Sequence, residues 1–460
     1  MKTNKTIAMA VVTLLSIFQS AQAQWRTEFS GLSTAQRALY EMSAPDTRNC
    51  YAIAYDQTDF YNYINQVTVT HDGGRTWSAV TIDSLEHNSF TDIAASSARV
   101  VHLIGWNSVT GGGNVFRSMD GGASWSREAA NAFTDPASFP DNILFFNPRD
   151  GVVFGDPTGG YFEIYTTSNG GNTWTRVPST DIPAPMAPYE EGSPRQMDQY
   201  KNTVWAQTVV VNANGSTYGR ILRSDDKGLH WYVKCPNITL APTDARMRFR
   251  DENVGLYKNN GILYRTRDGG ATWNPVNYSG TWFSCDFDNV PGRPGVWIST
   301  GGDIADSYLS ANGLGSSISY DDGDTWHTLD TAVDHTCLNM VNSAFGFGGG
   351  ITSGSGNDGA FVYSIANNNS YRLTSVDRGS AALSANVFPN PSGSTFNLQV
   401  SSQDDQKMYV NVIDVHGRTV YSMITQTEQY LVFGNDLSAG VYMVEVKQGD
   451  SMKTLRVVKY

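Results

Sequence analysis

The chain has 460 residues, 40% of them hydrophobic and 12% aromatic, enough to bury a large core and to form more than one folding unit. Forty-four acids against 32 bases leave a net charge of −12, which opposes phosphate backbones and anionic lipid surfaces and argues against a nucleic-acid partner. No stretch matches the about 20 apolar residues of a membrane-spanning helix, so no transmembrane segment is expected.

At the N-terminus, Lys2 and Lys5 precede an apolar-rich run from Ile7 to Phe18, and Ala21-Gln22-Ala23 supplies small residues for cleavage before Gln24. That is the pattern of a secretory signal peptide over 1–23, so the mature protein is expected outside the cytoplasm. Cys50, Cys235, Cys285 and Cys337 are far apart and form no CxxC pair. A zinc or redox motif is therefore disfavoured, and export allows up to two disulfides in three alternative pairings.

From residue 70 a short text recurs: THDGGRTW (70–77), SMDGGASW (118–125), TSNGGNTW (167–174), SDDKGLHW (224–231), TRDGGATW (266–273) and SYDDGDTW (319–326). The tryptophans Trp77, Trp125, Trp174, Trp231, Trp273 and Trp326 are 42 to 57 residues apart. A β-rich lead-in such as GRILRS or GILYRT runs into each copy, and the acid and glycine then reverse the chain. Periods of this length with strand–turn–strand units predict propeller blades of four strands. A worn seventh copy is expected at SIANNNSY (364–371), with Asn368 in the glycine position, since Asn tolerates positive φ.

Within each copy, Asp72, Asp120, Asp226, Asp268 or Asp321, with Asn169 replacing the acid once, is placed to accept amides of its own turn. The following hydroxyl, replaced by His230 in the fourth copy, is expected to tie back across the hairpin, and the tryptophan to wedge between sheets. The copies read as fasteners rather than catalysts or metal ligands. Asn169 and His230 leave the stability of their two hairpins in doubt.

These copies resemble BNR or Asp-box repeats, which occur in sialidases, some endoglucanases, sortilin-type receptors and photosystem II assembly-factor-like propellers. The longer phrases GVVFGDPTGGYFEIYTTSNGGNTW and ENVGLYKNNGILYRTRDGGATW look most like the assembly-factor group. The resemblance implies a seven-bladed propeller over 24–378 and says almost nothing about activity.

After a linker at 379–385 the text changes: NVFPNPSGSTFNLQV, MYVNVIDVHGRTVYSM, LSAGVYMVEV and a basic end carrying Lys453, Arg456 and Lys459. Alternation in YVNVIDV and VYMVEV predicts half-buried strands and an immunoglobulin-like β-sandwich over 386–460. The segment resembles the type A C-terminal sorting domain of the type IX secretion system, which implies that machinery as a partner and release or attachment at the cell surface.

A ligand face is expected opposite the box turns, where the inter-blade loops and the second-to-third-strand loops gather. Candidates there are Trp106, Asp156 in GDPTGG, Tyr189, Glu190, Glu191 and Arg195 in PAPMAPYEEGSPRQ, and Asp303, Asp306 and Tyr308 in GGDIADSY. For the loop 183–196 a solvated charged flap is the blander reading. The sialidase cue of an arginine followed by Ile-Pro is absent near the start, and Arg99, Arg149, Arg246 and Arg248 cannot be assigned to the axis by sequence. No catalytic residue, metal or cofactor is assigned. The expected function is an exported, non-catalytic binding or assembly module for a glycan or protein ligand; the alternative is a glycoside hydrolase with two carboxylates across a groove.

Overall fold

A computed structural model describes residues 23–59, 64–82, 87–128, 131–186, 190–211, 217–239, 245–302, 313–365, 384–388, 390–401, 407–415, 418–425, 430–448 and 451–460. The predicted leader, up to residue 22, lies outside them. The chain divides into two compact units, Met1–Asn369 and Ser370–Tyr460. Both are built of strands; among the described residues no helix is long and apolar enough to cross a membrane.

In the first unit the chain meanders up and down through one sheet and then enters the next. Blade one is Arg37–Ser43, Cys50–Asp56, Gln66–Thr70 and Ser78–Thr81, in that order from inside to outside. Blades two to five repeat the arrangement from inner strands Asn88–Ala95, Pro140–Phe145, Glu190–Tyr200 and Ala245–Phe249. Blade six starts at Asp286–Asn289 and gains a short fifth strand, Ser279–Gly280, parallel to Thr325–Asp330. Blade seven has Cys337–Asn342 inside, then Phe345–Gly349 and Gly359–Ile365. Inner strands touch in cyclic order, and that of blade seven returns to that of blade one, so the ring closes.

The predicted count of seven blades holds, but the last blade is completed differently from expectation. Its fourth strand is Ala23–Phe29, antiparallel to Gly359–Ile365 in the register Trp25↔Tyr363. The place assigned to the strand after SIANNNSY is therefore filled from the opposite end of the propeller. Within that copy Ser364 and Ile365 belong to the third strand, and residues 366–371 lie outside the described ones. The closure joins distant parts of the chain in one antiparallel strand pair.

Cores lie between blades rather than within them. One cluster joins Leu39, Cys50, Ala52 and Trp77 of blade one to Phe347 and Val362 of blade seven; another joins Phe154 and Ile164 of blade three to Leu222 and Trp231 of blade four. All four cysteines are buried free thiols, so none of the three pairings that export would allow is formed.

The second unit packs a three-stranded sheet, Ser384–Phe388, Phe396–Ser401 and Tyr430–Phe433, against a four-stranded one, Thr419–Thr425, Met408–Asp414, Gly440–Gln448 and Ser451–Lys459. Alternation does this: Met408, Val410 and Val412 face inward with Val444 and Val446, while Tyr409 is exposed. Its first strand begins at Ser384, inside the predicted linker.

Candidate functional site

The box turns have one repeated bonding scheme. In the first, Thr70 Oγ1 accepts the Gly74 amide at 3.0 Å and donates to Asp72 Oδ1 at 2.9 Å. Asp72 also accepts the amides of Arg75 and Thr76, at 2.9 and 3.0 Å, and the Thr76 hydroxyl at 2.7 Å. The hydroxyl expected to cross the hairpin thus bonds the acid of its own turn. The Ser124 hydroxyl and amide hold the Asp120 carboxyl down at about 2. Asn169 keeps the scheme: its Oδ1 accepts the Thr173 amide at 3.0 Å and its Nδ2 donates to the Thr173 hydroxyl at 2.9 Å. His230 Nδ1 bonds Asp226 Oδ2 at 2.5 Å in place of a hydroxyl. Both exceptional hairpins are therefore closed like the others, against the doubt raised by their sequences.

Trp77, Trp174, Trp231 and Trp326 are buried, and Trp125 and Trp273 half-buried. Trp77 meets Phe347 of blade seven with ring centres 5.9 Å apart, and Trp231 meets Phe154 of blade three at 5.6 Å. Ring burial of 150–250 Å² at about 25 cal/mol per Å² is worth roughly 4–6 kcal/mol per tryptophan as an upper bound.

The axis is held by a second, unpredicted repeat. An inner strand has no sheet partner on its axial side, so its backbone amides need acceptors. Side chains of the preceding blade supply them. Ser43 Oγ accepts the Ala95 amide at 2.9 Å, Asp92 that of Ile143 at 2.8 Å, and Asn142 that of Gln196 at 3.1 Å. Asp198 accepts the Phe249 amide. Asp286 and Asp288 accept those of Leu338 and Met340 at 3.0 and 2.8 Å, and Asn339 accepts that of Ala44 at 2.9 Å. Between blades five and six a side-chain bond takes over, from Arg246 Nε to Asp286 Oδ1 at 2.8 Å.

Arg246 also grips Glu41 with both terminal nitrogens, at 2.9 and 3.0 Å. Arg195 adds a bond to Glu41 at 3.1 Å and lies 4.6 Å over the Tyr40 ring. Burial by itself pushes the Glu41 carboxyl up, but Arg246 and Arg195 together hold it well below the usual range. Burial pushes Asp92 to about 8, with Glu41 adding to it, and Asp288 to about 7 against the pull of Arg248. Next to this network lies a cavity of about 290 Å³. Glu41–Ala44, Asp92–Ala95 and Asn142–Phe145 line it, all at the ends of inner strands. Those ends lead into the loops that box glycines bond: Gly73 to Arg48 O, Gly121 to Arg99 O and Gly170 to Arg149 O. The axial cavity therefore lies toward the box face, not the face where ligand residues were sought.

The predicted ligand residues separate into two sets. Glu190 and Arg195 are buried in the strand Glu190–Tyr200, so the segment is not the solvated flap expected there. Glu190 pairs with Arg220 at 2.8 Å and accepts the Thr208 hydroxyl at 2.6 Å, while Arg195, at φ 62°, reaches the axis. Asp156, Glu191 and Trp106 remain on the opposite face. Asp156 Oδ1 accepts the Gly192 amide at 2.7 Å, and its own amide bonds Phe139 O at 2.9 Å. The Phe139 ring lies 6.0 Å from that of Trp106. Tyr189, Asp303, Asp306 and Tyr308 lie outside the described residues. Sequence reading missed Glu41, Asp141 and Asp286 and left Arg246 unassigned; the usable signal was a polar residue within each apolar inner strand, as in FTDIAA, FPDNIL and CDFDNV. Among the described residues no three His, Cys, Asp or Glu side chains group to hold a metal.

Residues 386–460 match the family model of the secretion system C-terminal sorting domain. No curated protein matches the chain. Among solved structures it is similar to YCF48 bound to D1 peptide, at 16% identity over 75% of this chain and 97% of that one, TM-score 0.49. It is also similar to YCF48 from Cyanidioschyzon merolae, at 15% identity over 75% and 99%, TM-score 0.47. A third is the GH74 xyloglucanase from Xanthomonas campestris, at 12% identity over 94% and 75%, TM-score 0.47. The chain is a seven-bladed propeller of acidic-box repeats followed, at 386–460, by a type IX C-terminal sorting domain that directs it to the cell surface or outside.

Proposed function

We propose that the propeller is a non-catalytic binding or assembly module working at the cell surface or outside, delivered there by its C-terminal domain. A leader at 1–23 fits that route. The observation that carries the reading is the bonding of the axial acids. Asp92, Asp198, Asp286 and Asp288 each accept a backbone amide of the next blade, and Glu41 is clamped by two arginines. Glycoside hydrolysis needs one carboxyl to give up a proton and another to attack or activate water. Carboxylates already committed to holding the ring are unsuited to either task. The cavity wall is mostly polar, with Phe145 its aromatic member, itself covered by the His102 ring 4.2 Å away. It offers a sugar no open stacking surface.

The test is a panel of glycans and peptides incubated with the full secreted chain, with retention and product release followed together. Retention of a ligand without cleavage is expected. Sugar release that disappears in an Asp156→Asn or Glu191→Gln variant would establish the hydrolase instead.

A further inference from the structure

On the face opposite the boxes, three irregularities in neighbouring strands coincide. The pairing of Pro140–Phe145 with Gly151–Thr158 slips between Pro140 and Asn142, and that of Gly151–Thr158 with Tyr161–Thr167 slips between Gly155 and Pro157. In the next blade the register breaks between Gly192 and Met197. Asp141 and Asp156 are the extra residues of the first two, and Glu191 immediately precedes the third. Bulges re-aim side chains, and here they turn carboxyl groups toward one spot on the Gly192 backbone. Asp156 accepts the Gly192 amide, and a Cβ built on Gly192 would lie 1.9 Å from Asp141 Oδ2.

Asp141 differs from the other inner-strand acids. Asn142 beside it already supplies the bond to the next blade, and Asp141 is 1% exposed with its Oδ2 buried and unpartnered. Two strands further out, Glu163 is 2% exposed and has an unpartnered Oε2. Among the described residues no Lys or Arg pairs with Asp141, Asp156 or Glu191; Arg176 reaches Glu163 only at 3.9 Å. Exposure falls from Glu191 at the rim through half-buried Asp156 to buried Asp141. The Phe139 carbonyl accepts the Asp156 amide at 2.9 Å, which brings to the same end of the blades the Phe139 ring and the half-buried Trp106, 6.0 Å from it.

We infer that Asp141, Asp156 and Glu191, bordered by Trp106 and Phe139, form a binding site for a slender alkylammonium group such as a lysyl side chain. The inference rests on reading the propeller as a binding module. Carboxylates and an aromatic face are the two groups that attract an organic cation. Among the described residues no three such side chains group to hold a metal ion, so an organic cation fits better than a bare one. The graded depth suits a charge on a thin stem; an ammonium fixed to a sugar ring would be stopped at the rim.

Burial pushes the Asp156 carboxyl up to about 7, with Glu191 and Glu163 adding to it. The groups facing it are Asp141 from the inner strand, Glu191 from the next blade, and Glu163 with its partner Arg176 from the outer strands. A cation favours the ionised acid, so its binding releases a proton and strengthens as pH rises through neutrality.

The experiment is calorimetric titration of the full secreted chain with Nα-acetyl-lysine methylamide at about pH 6 and about pH 8. Saturable binding is expected that is tighter at the higher pH and about tenfold weaker in Asp156→Asn and in Glu191→Gln, the latter on the exposed rim where folding is unaffected. Absence of saturable binding, or affinity unchanged from the parent in both variants, overturns the site. Equal or tighter binding of glucosamine overturns the slender stem, and displacement by equimolar calcium overturns the organic cation. Cleavage of the glycan panel by the same protein preparations, assayed separately, counts against the binding-module reading alone, because the lysyl probe has no glycosidic bond.

Discussion

Asp286 on the inner strand of blade six accepts the amide of Leu338 on the inner strand of blade seven at 3.0 Å, while its other oxygen takes Arg246 of blade five at 2.8 Å. One carboxylate thus joins three blades at the axis. Losing Arg246 would leave Glu41 and Asp286 buried with Arg195 as their remaining near partner, at 3.1 and 3.7 Å, and breaking a buried pair from one side costs up to about 3–5 kcal/mol. Arg246→Ala should lower the urea midpoint accordingly, and a midpoint within error of the parent protein's would refute the clamp.

The same clamp predicts acid sensitivity. Glu41 is held below its unfolded value, so its stabilisation is present above that value and is lost as pH falls toward the folded one. Thermal melts of Glu41→Gln should lie below those of the parent at neutral pH and converge with them in acid.

Asp288 accepts the Met340 amide at 2.8 Å. Removing the acceptor in Asp288→Ala leaves a buried amide unsatisfied, a loss of about 1–3 kcal/mol. Asp288→Asn keeps an acceptor oxygen and should retain most of the stability. Denaturation curves that rank the two variants the other way would show that the charge, not the acceptor, matters.

Asp141 behaves in the opposite sense. Burial raises its folded value well above the unfolded one, with Asp156 and Glu191 adding to it. The cost of keeping it protonated or of charging it in place appears once pH exceeds the unfolded value and grows until the folded one is reached. Asp141→Asn should therefore stabilise the protein at neutral pH and have no effect in strong acid, as read from the urea midpoint at the two pH values. Stability unchanged across that range would mean that Asp141 carries no such burden.

The four thiols are free and buried. A thiol reagent should label four sites only after denaturation, and reductant should leave the intact mass unchanged. A mass gain on reduction would reveal a disulfide.

Much was legible because the box acts within eight residues: its acid, glycine, hydroxyl and tryptophan meet through bonds spanning two to four positions, as from Thr70 to Asp72 and Gly74. Copies of a local motif count blades whatever else the chain does. The axial staples obey an equally simple rule, but Glu41 and Arg246 meet across 205 positions, and FTDIAA resembles any strand with one polar residue. Glu190 and Arg195 appeared to be exposed charges because nothing nearby neutralises them; their partners, Arg220 and Glu41, come from elsewhere.

Composition, the box spacing and the tail by themselves determined an exported all-β chain of seven blades and a small sandwich, since each rests on residues close together in sequence. Closure by Ala23–Phe29, the clamp of Glu41, Arg246 and Asp286, and the meeting of Asp141, Asp156 and Glu191 were decided only by the tertiary structure. Closing a ring brings every inner strand to one axis, and single-residue bulges choose which side chains face each other there.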